Sequence, residues 1–438
     1  MFYRNAVLAA VASILATAGL VKAESAPLSL TAAAAPADEI SSGLLMQGLD
    51  QLGAGGMLKD AGLKIYGWLE VGYTYNHRHN RSSFIVPGPF NHQVDNHLML
   101  NQFVLRIERE VATDKFDVGG MIEFMYGTDA AGIHANGFGL GFSGEGGRFN
   151  PQYQPDFVQV YADVNLPIAN GLKLRAGKFA SFMSYETIDP RGNPFYSHSY
   201  LFASLPATFT GLVGFFNVNE QLAVMGGITR GWNQALQDNN GAINVIGQVK
   251  YAYDKQWDGV FNITVGPENP NNSSHYRTTL NAIVNFKATE QLKFGAEALY
   301  IYDGGMAGDP EDGVSRGYGD VWGATIYASY EIDQYMTANA RLGFFHYSAG
   351  AAGHVFSNAV EGAGDIFEDF EDTFGDNNIL DLTLGVTIKP FPKDNIGKNL
   401  TIRPEIRYSI SEDRIFFDGN NRFSKEQFSI GADVIFTF

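Results

Sequence analysis

The chain has 438 residues, with 47 acidic against 30 basic side chains, a formal net charge of −17, 45 % hydrophobic residues and no cysteine. Without cysteine it can form no disulfide, no thiolate-ligated metal centre and no lipoprotein-type anchor, and its acidity argues against a nucleic-acid partner. The length suits either two or three soluble domains or one large barrel, so the periodicity of the side chains has to decide.

Met1-Phe2-Tyr3-Arg4-Asn5 precede an apolar run from Ala6 to Val21, which ends at Val21-Lys22-Ala23 before Glu24. This is the pattern of a secretory signal over 1–23, cut after Ala23. The run is about 16 residues, short of the roughly 20 that a spanning helix needs. Losing Arg4 and Lys22 would take the formal charge from −17 to −19. No later stretch approaches twenty consecutive apolar residues, so no membrane helix is expected after it. The 50 glycines, about 11 % against an average near 7 %, and the 13 % of aromatic residues suit a barrel with tight turns and aromatic girdles.

Residues 24–62 form a leader outside the barrel. Its first part, 24–37, is rich in Ala, Pro and Ser. In 38–60, Leu44, Leu45, Leu49, Leu52 and Met57 make an apolar stripe, while Gly48, Gly53, Gly55 and Gly56 weaken it, so helix and coil are both open.

From Leu63 the pattern changes to a period of two, which places alternate side chains on opposite faces of a sheet. In 63–76, Leu63, Ile65, Gly67, Leu69, Val71, Tyr73 and Tyr75 oppose Lys64, Tyr66, Trp68, Glu70, Thr74 and Asn76. In 157–166, Val158, Val160, Ala162, Val164 and Leu166 oppose Gln159, Tyr161, Asp163 and Asn165. The same alternation recurs in 379–389 and 401–410. About sixteen such segments run from 63 to 438, each near the 9 to 11 residues of a tilted membrane strand.

Their connections alternate in length. Short turns fall at 111–115, 167–171, 218–220, 254–256, 289–290 and 333–335; long polar stretches fall at 77–97, 129–156, 180–206, 303–320 and 348–378. Short periplasmic turns and long outer loops mark a transmembrane, antiparallel up-and-down β-barrel. An even strand count puts the leader and the C-terminus on the periplasmic side. The last segment alternates up to Phe438, the pattern of an outer-membrane assembly signal read by the barrel-assembly machinery.

The stretch 176–232 carries Gly177-Lys178-Phe179, Tyr185-Glu186, Asn193-Pro194-Phe195-Tyr196-Ser197, Ser199-Tyr200, Thr210-Gly211 and Gly231-Trp232, with Gly67-Trp68 in the first segment. By these residues the sequence resembles the putative β-barrel porin-2 (OmpL-like) family over 62–438. The resemblance implies an outer-membrane porin, without a substrate and without functional residues to carry over.

A barrel of about sixteen strands is wide enough for an aqueous lumen that passes small hydrophilic solutes or ions. The inward faces would carry Glu70, Arg106, Glu108, Glu123, Asp163, Lys173, Arg175, Lys250, Lys287, Lys293, Glu297, Glu331, Arg341, Asp381, Arg403, Glu405 and Arg407. Such charges are costly in lipid and tolerable in water, though they could equally pair across strands and hold the wall together. The aromatic-rich loop 180–206, with Tyr185, Glu186, Asp189, Arg191 and His198, is the candidate to fold into the lumen as a constriction; a cap packed on the rim is the alternative. Candidate pore-lining positions are therefore Arg106, Glu108, Glu123, Lys173, Arg175, Glu186, Asp189, Arg191, Arg403, Glu405 and Arg407.

The acidic stretches 309–312 and 361–376 would draw cations or simply be well solvated. His77, His79, His92 and His97 match no compact ligand spacing, so no metal or cofactor is expected. A hydrolase would have to use Ser197-His198-Ser199, which are chain neighbours without a nucleophile elbow. A plugged barrel serving as an adhesin or envelope tether is the other alternative. Expected partners are outer-membrane lipid and lipopolysaccharide, the assembly machinery and other copies of the chain.

Overall fold

The structure, a computed structural model, describes residues 43–76, 96–138, 153–305, 318–351, 376–417 and 423–438. Residues 1–42, which take in the expected signal and the first part of the expected leader, together with His77, His79 and His92 and the acidic stretches 309–312 and 361–375, lie outside the described residues.

All sixteen alternating segments are strands, and they close into one barrel. In chain order they are β1 (Lys64–Asn76), β2 (Leu98–Arg109), β3 (Asp117–Gly127), β4 (Gln154–Leu166), β5 (Leu172–Ala180), β6 (Thr208–Asn217), β7 (Leu222–Trp232) and β8 (Asn244–Ala252). There follow β9 (Trp257–Pro267), β10 (Tyr276–Lys287), β11 (Leu292–Asp303), β12 (Gly319–Glu331), β13 (Met336–Tyr347), β14 (Asn377–Ile388) and β15 (Leu400–Ser411). A small hairpin of β16 (Phe416–Phe417) and β17 (Phe423–Ser424) precedes the last barrel strand, β18 (Glu426–Thr437). Each barrel strand pairs antiparallel with its chain neighbours, and β1 pairs with β18 to complete the ring. Closure satisfies backbone groups that an open edge would expose to lipid at several kcal/mol each.

The seam depends on Gly67. Its N–H donates to Phe438 O at 3.0 Å and its carbonyl accepts from Phe438 N at 2.9 Å. A Cβ on Gly67 would meet Val104 O at 2.1 Å and Phe438 Cε2 at 2.8 Å, so glycine leaves room both for the neighbouring strand's backbone and for the Phe438 ring, which also stacks on Phe103.

The short turns share a local cause. Asn219 Oδ1 accepts from the N–H groups of Gln221 and Leu222, Asp254 Oδ1 from Gln256 and Trp257, and Asp333 Oδ1 from Tyr335 and Met336. Thr289 Oγ1 does the same for Gln291 and Leu292. A side-chain acceptor that satisfies two N–H groups stops one strand and reverses the chain into the next. The connection between β14 and β15 is longer and holds a 3₁₀ turn, Gly397–Asn399.

The outer face is apolar: Leu342, Leu382, Ile406 and Ile430 are 43–46 % exposed, while Arg341 beside Leu342 is 1 % exposed and Arg407 beside Ile406 is 3 %. Aromatic rings gather toward the strand ends, including the stacked Trp257, Phe286 and Phe294 near the short turns. Ahead of β1 lie two short helices, α1 (Leu44–Gln51) and α2 (Gly55–Asp60), interrupted at Gly53, whose φ of 84° is in the left-handed region. Met46 is the buried residue of α1, and its sulfur lies 3.4 Å from Ile65 N.

Two expectations need correction. Val158 does not face lipid with Val160: the β3–β4 register shifts between Glu123 and Phe124, and this bulge turns Val158 inward, where it is fully buried. Nor is the inner face uniformly polar. Phe179, Phe209, Val213, Met225, Ile246, Leu299, Ile301, Val321, Phe345 and Ile379 form one apolar cluster with Met183, Tyr200, Leu201 and Leu205 of the segment 181–207. A second cluster joins Tyr66, Trp68, Val104, Met125, Val158 and Ile188 to Ala130 of α3 (Thr128–Gly132). These inward apolar side chains are the core on which the loops rest.

Candidate functional site

The segment 181–207, between β5 and β6, lies against the inner wall. Its own order is local: Asp189 Oδ1 accepts from Arg191 N at 3.1 Å to start a 3₁₀ turn, Pro190–Gly192, and Ser199 caps the single-turn helix α4 (Tyr200–Ala203) through Phe202 N at 3.2 Å. Such short turns are not stable alone. The barrel supplies the remaining hydrogen bonds.

Wall residues hold its backbone, most of them on β13 and β15, with Asn339 Nδ2 donating to Pro194 O at 3.2 Å and Gln102 Nε2 of β2 to Ile188 O at 2.8 Å. Glu405 accepts from the N–H groups of Tyr196 (2.9 Å) and Ser197 (3.1 Å). Arg403 Nη1 donates to the carbonyls of Pro190 and Asn193, both at 2.7 Å. Arg407 Nη1 donates to His198 O at 2.9 Å, and Arg341 Nη1 to Ser197 O at 2.6 Å. The arginines are themselves paired: Arg403 with Asp433 and Glu70, Arg407 with Asp381, and Arg341 with Glu186. Buried guanidinium groups are tolerable because most of their donors have acceptors, Arg341 Nε and Arg407 Nη2 being the two nitrogens here that lack one.

Glu186 is the loop's own anchor. Its Oε1 accepts from Tyr327 O–H at 3.0 Å and Arg341 Nη1 at 2.9 Å, and its Oε2 from Ser199 N at 2.8 Å. His198 Nδ1 lies 2.9 Å from Oε2, and because an ionised carboxylate only accepts, the Nδ1–H tautomer is the one that fits. Burial alone would raise the Glu186 carboxyl, but the Arg341 charge and His198 hold it down at about 2. Burial lowers His198, more than Glu186 raises it, and Arg341 and Arg403 push the same way as burial.

These directions set a sign. A histidine held below its ordinary value of 6.5 resists protonation in place, whereas the released loop accepts a proton there, so anchorage weakens as pH falls through about 6.5. Glu186 contributes a further loss only as pH falls from about 4.5 toward 2. Acidification from about pH 7.5 to about pH 5 is therefore expected to loosen the loop. Single-channel recordings should show larger or noisier conductance, and His198→Gln should flatten that limb. An unchanged pH profile in the variant would contradict this role.

The other sequence-selected positions lie on β1–β5 and at the loop tip. Arg106 pairs closely with Glu123, donates to Tyr66 O–H at 3.1 Å and stands 3.8 Å from Asp189. Arg191 is bidentate to Asp189 (2.9 and 2.6 Å) and sits 4.1 Å over the Trp68 ring. Arg175 is bidentate to Asp163 (2.8 and 2.9 Å) and lies 3.6 Å over the Tyr161 ring, with Lys173 3.8 Å from the same carboxylate. Glu108 faces Lys64 in the β1–β2 register. The structure thus brings Glu186, Arg403, Glu405 and Arg407 together beneath the loop, and Arg106, Glu123, Asp189 and Arg191 at its tip; Lys173 and Arg175 are a separate pair on β5. Ser197 Oγ accepts from Arg341 Nη2 at 3.0 Å, so the serine and histidine of the hydrolase reading are both part of the anchor.

Sequence reasoning missed Tyr327 and Asn101. A register shift in the β1–β2 pairing leaves Asn101 facing inward, where its Oδ1 accepts from Tyr196 O–H at 3.2 Å. No period-two pattern announces a bulge.

Against known structures, the fold is similar to Salmonella typhi OmpF in complex with daunomycin, at 12 % identity and a TM-score of 0.54, covering 86 % of this chain and 99 % of that one. It is also similar to the outer-membrane channel DcaP of Acinetobacter baumannii (12 %, 0.52, covering 86 % and 98 %) and to an anion-selective porin from Comamonas acidovorans (10 %, 0.51, covering 86 % and 99 %). No curated protein sequence matches the chain. The family model described as putative beta-barrel porin-2, OmpL-like matches residues 62–438, the whole of the barrel described above, and the chain belongs to that outer-membrane family.

Proposed function

We propose that the barrel is a water-filled channel for passive diffusion of small hydrophilic solutes, with the segment 181–207 as its constriction. The observation that carries this reading is the seating of that segment on inner-wall residues, above all Glu405, Arg403, Arg407 and Arg341. An inward loop narrows a lumen without closing the ends of the barrel. At its tip Asp189 and Arg191, beside Arg106, Glu108 and Glu123, border the path, with Lys173 and Arg175 on the adjoining wall. Paired charges there serve wall and solute together.

One observation favours the plugged-barrel alternative: Asn262 and Asn281, on the wall away from Glu405, are also buried, at 0 % and 1 % exposure. The two readings separate in a planar bilayer. The channel reading expects stepwise conductance and entry of small neutral sugars into liposomes; purified, correctly folded protein that gives neither would remove it. Reversal potentials under a salt gradient would then report ion preference.

Export by a signal cut after Ala23, assembly through the strand ending at Phe438 and a homo-oligomeric state belong to the same reading. The last is supported by the similar fold of Vibrio cholerae OmpT, one of whose structures is described as a trimer form (10 % identity, TM-score 0.50, covering 86 % of this chain and 99 % of that one). Unheated electrophoresis in mild detergent would show it as a band at a multiple of the monomer mass.

A further inference from the structure

Two glycines on the inner wall face tyrosines of the loop. On β1, a Cβ at Gly72 would lie 2.3 Å from both Cζ and Oη of Tyr196. On β11, a Cβ at Gly295 would lie 2.3 Å from Cε2 and 2.6 Å from Cζ of Tyr185. At both positions the three nearest atoms all belong to the tyrosine. Neither glycine has a positive φ, so the backbone does not require glycine. A glycine inside a strand costs stability relative to alanine, and what it supplies here is space.

The positions are well separated. Tyr185 and Tyr196 are eleven residues apart in the chain, and their sockets are six strands apart around the ring, along β1-β18-β15-β14-β13-β12-β11. Tyr185 also stacks on Tyr327 with centroids 4.1 Å apart, and Tyr196 is fully buried. Between them Phe195 rests on a third inward glycine, Gly385 of β14, whose Cβ would come within 3.2 Å of the ring. The hydrogen bonds to Glu405, Arg403 and Arg407 fix the loop's backbone, but a hydrogen bond tolerates tilt and the ring-in-socket contacts do not.

From this juxtaposition we infer that Gly72 and Gly295 are specificity-determining positions: they set how deeply the loop seats and hence the largest solute that passes, without touching the solute. This deepens the channel reading and rests on the segment 181–207 being the constriction. Filling either socket lifts the loop at one pin and shifts the aperture.

The test is a liposome-swelling series with neutral sugars of graded size, alongside single-channel conductance, on Gly295→Val and Gly72→Val and on the milder Gly295→Ala and Gly72→Ala. Folding is checked by heat-modifiable electrophoretic mobility. The expected result is a shifted exclusion limit, returned toward that of the parent when Gly295→Val is combined with Tyr185→Ala. That reciprocity separates a socket from a glycine needed only by the strand, which trimming Tyr185 would not rescue. If the glycine variants fail to fold, rescue of folding by Tyr185→Ala supports the socket and its absence overturns it. Folded variants with an unaltered limit also overturn it. Deletion of 186–198 distinguishes the two levels: an unchanged limit there defeats the constriction reading itself, while a widened limit there with unaltered glycine variants defeats only the sockets.

Discussion

Deleting residues 186–198 should raise the single-channel conductance and admit larger sugars, and this is the largest functional change expected of any variant of the chain. The deletion removes the groups that Glu405, Arg403, Arg407 and Arg341 hold on the inner wall. Arg403 and Arg407 keep Asp433 and Asp381, so no unpaired cation is left in a dry site. Glu405 and Arg341 lose loop partners, but in a widened lumen they meet water, which keeps the stability cost small compared with the about 3–5 kcal/mol of stranding a charge in a sealed core. Conductance equal to that of the intact chain would place the aperture elsewhere.

Placing arginine at Leu382 should destabilise the folded barrel by about 2–4 kcal/mol, the cost of a basic side chain facing lipid near the bilayer midplane. Leu382 lies at the middle of β14, pairs with Leu342 and Tyr408 on the neighbouring strands and is 43 % exposed on the outer face. The same change at Ile388, the last residue of β14, should cost only about 0–1 kcal/mol, because arginine there reaches the interface. Urea unfolding in lipid vesicles measures both. Equal costs at the two sites would contradict the depth assigned to β14.

The strands were legible because a barrel wall in lipid applies one rule along its length: alternate side chains face hydrocarbon. Leu380, Leu382 and Leu384 opposite Asp381 and Thr383 could be read in the sequence, and they face outward and inward as that pattern requires. The turns were legible for a chemical reason, since Asn219, Asp254, Thr289 and Asp333 each satisfy two N–H groups within a few residues. The loop 180–206 stood out by its aromatic residues, of which Phe182, Tyr200 and Phe202 join the apolar clusters while Tyr185, Phe195 and Tyr196 pack over inward glycines.

Partnerships between distant residues were not legible. Glu405 could be placed on an inward face, yet its partners Tyr196 and Ser197 lie 209 and 208 residues away. Inward glycines such as Gly72 and Gly295 carry no period of their own, and the bulge beside Val158 breaks the alternation without a residue to mark it.

By itself, then, the sequence determined the strand set, the outward face, the turn ends and the family, because each depends on residues near in the chain or on a solvent that acts on every strand alike. Only the tertiary structure decided which inner charges hold the loop. That choice depends on which side chains the closed ring brings within about 3 Å of one another, and closure is a property of all sixteen strands together.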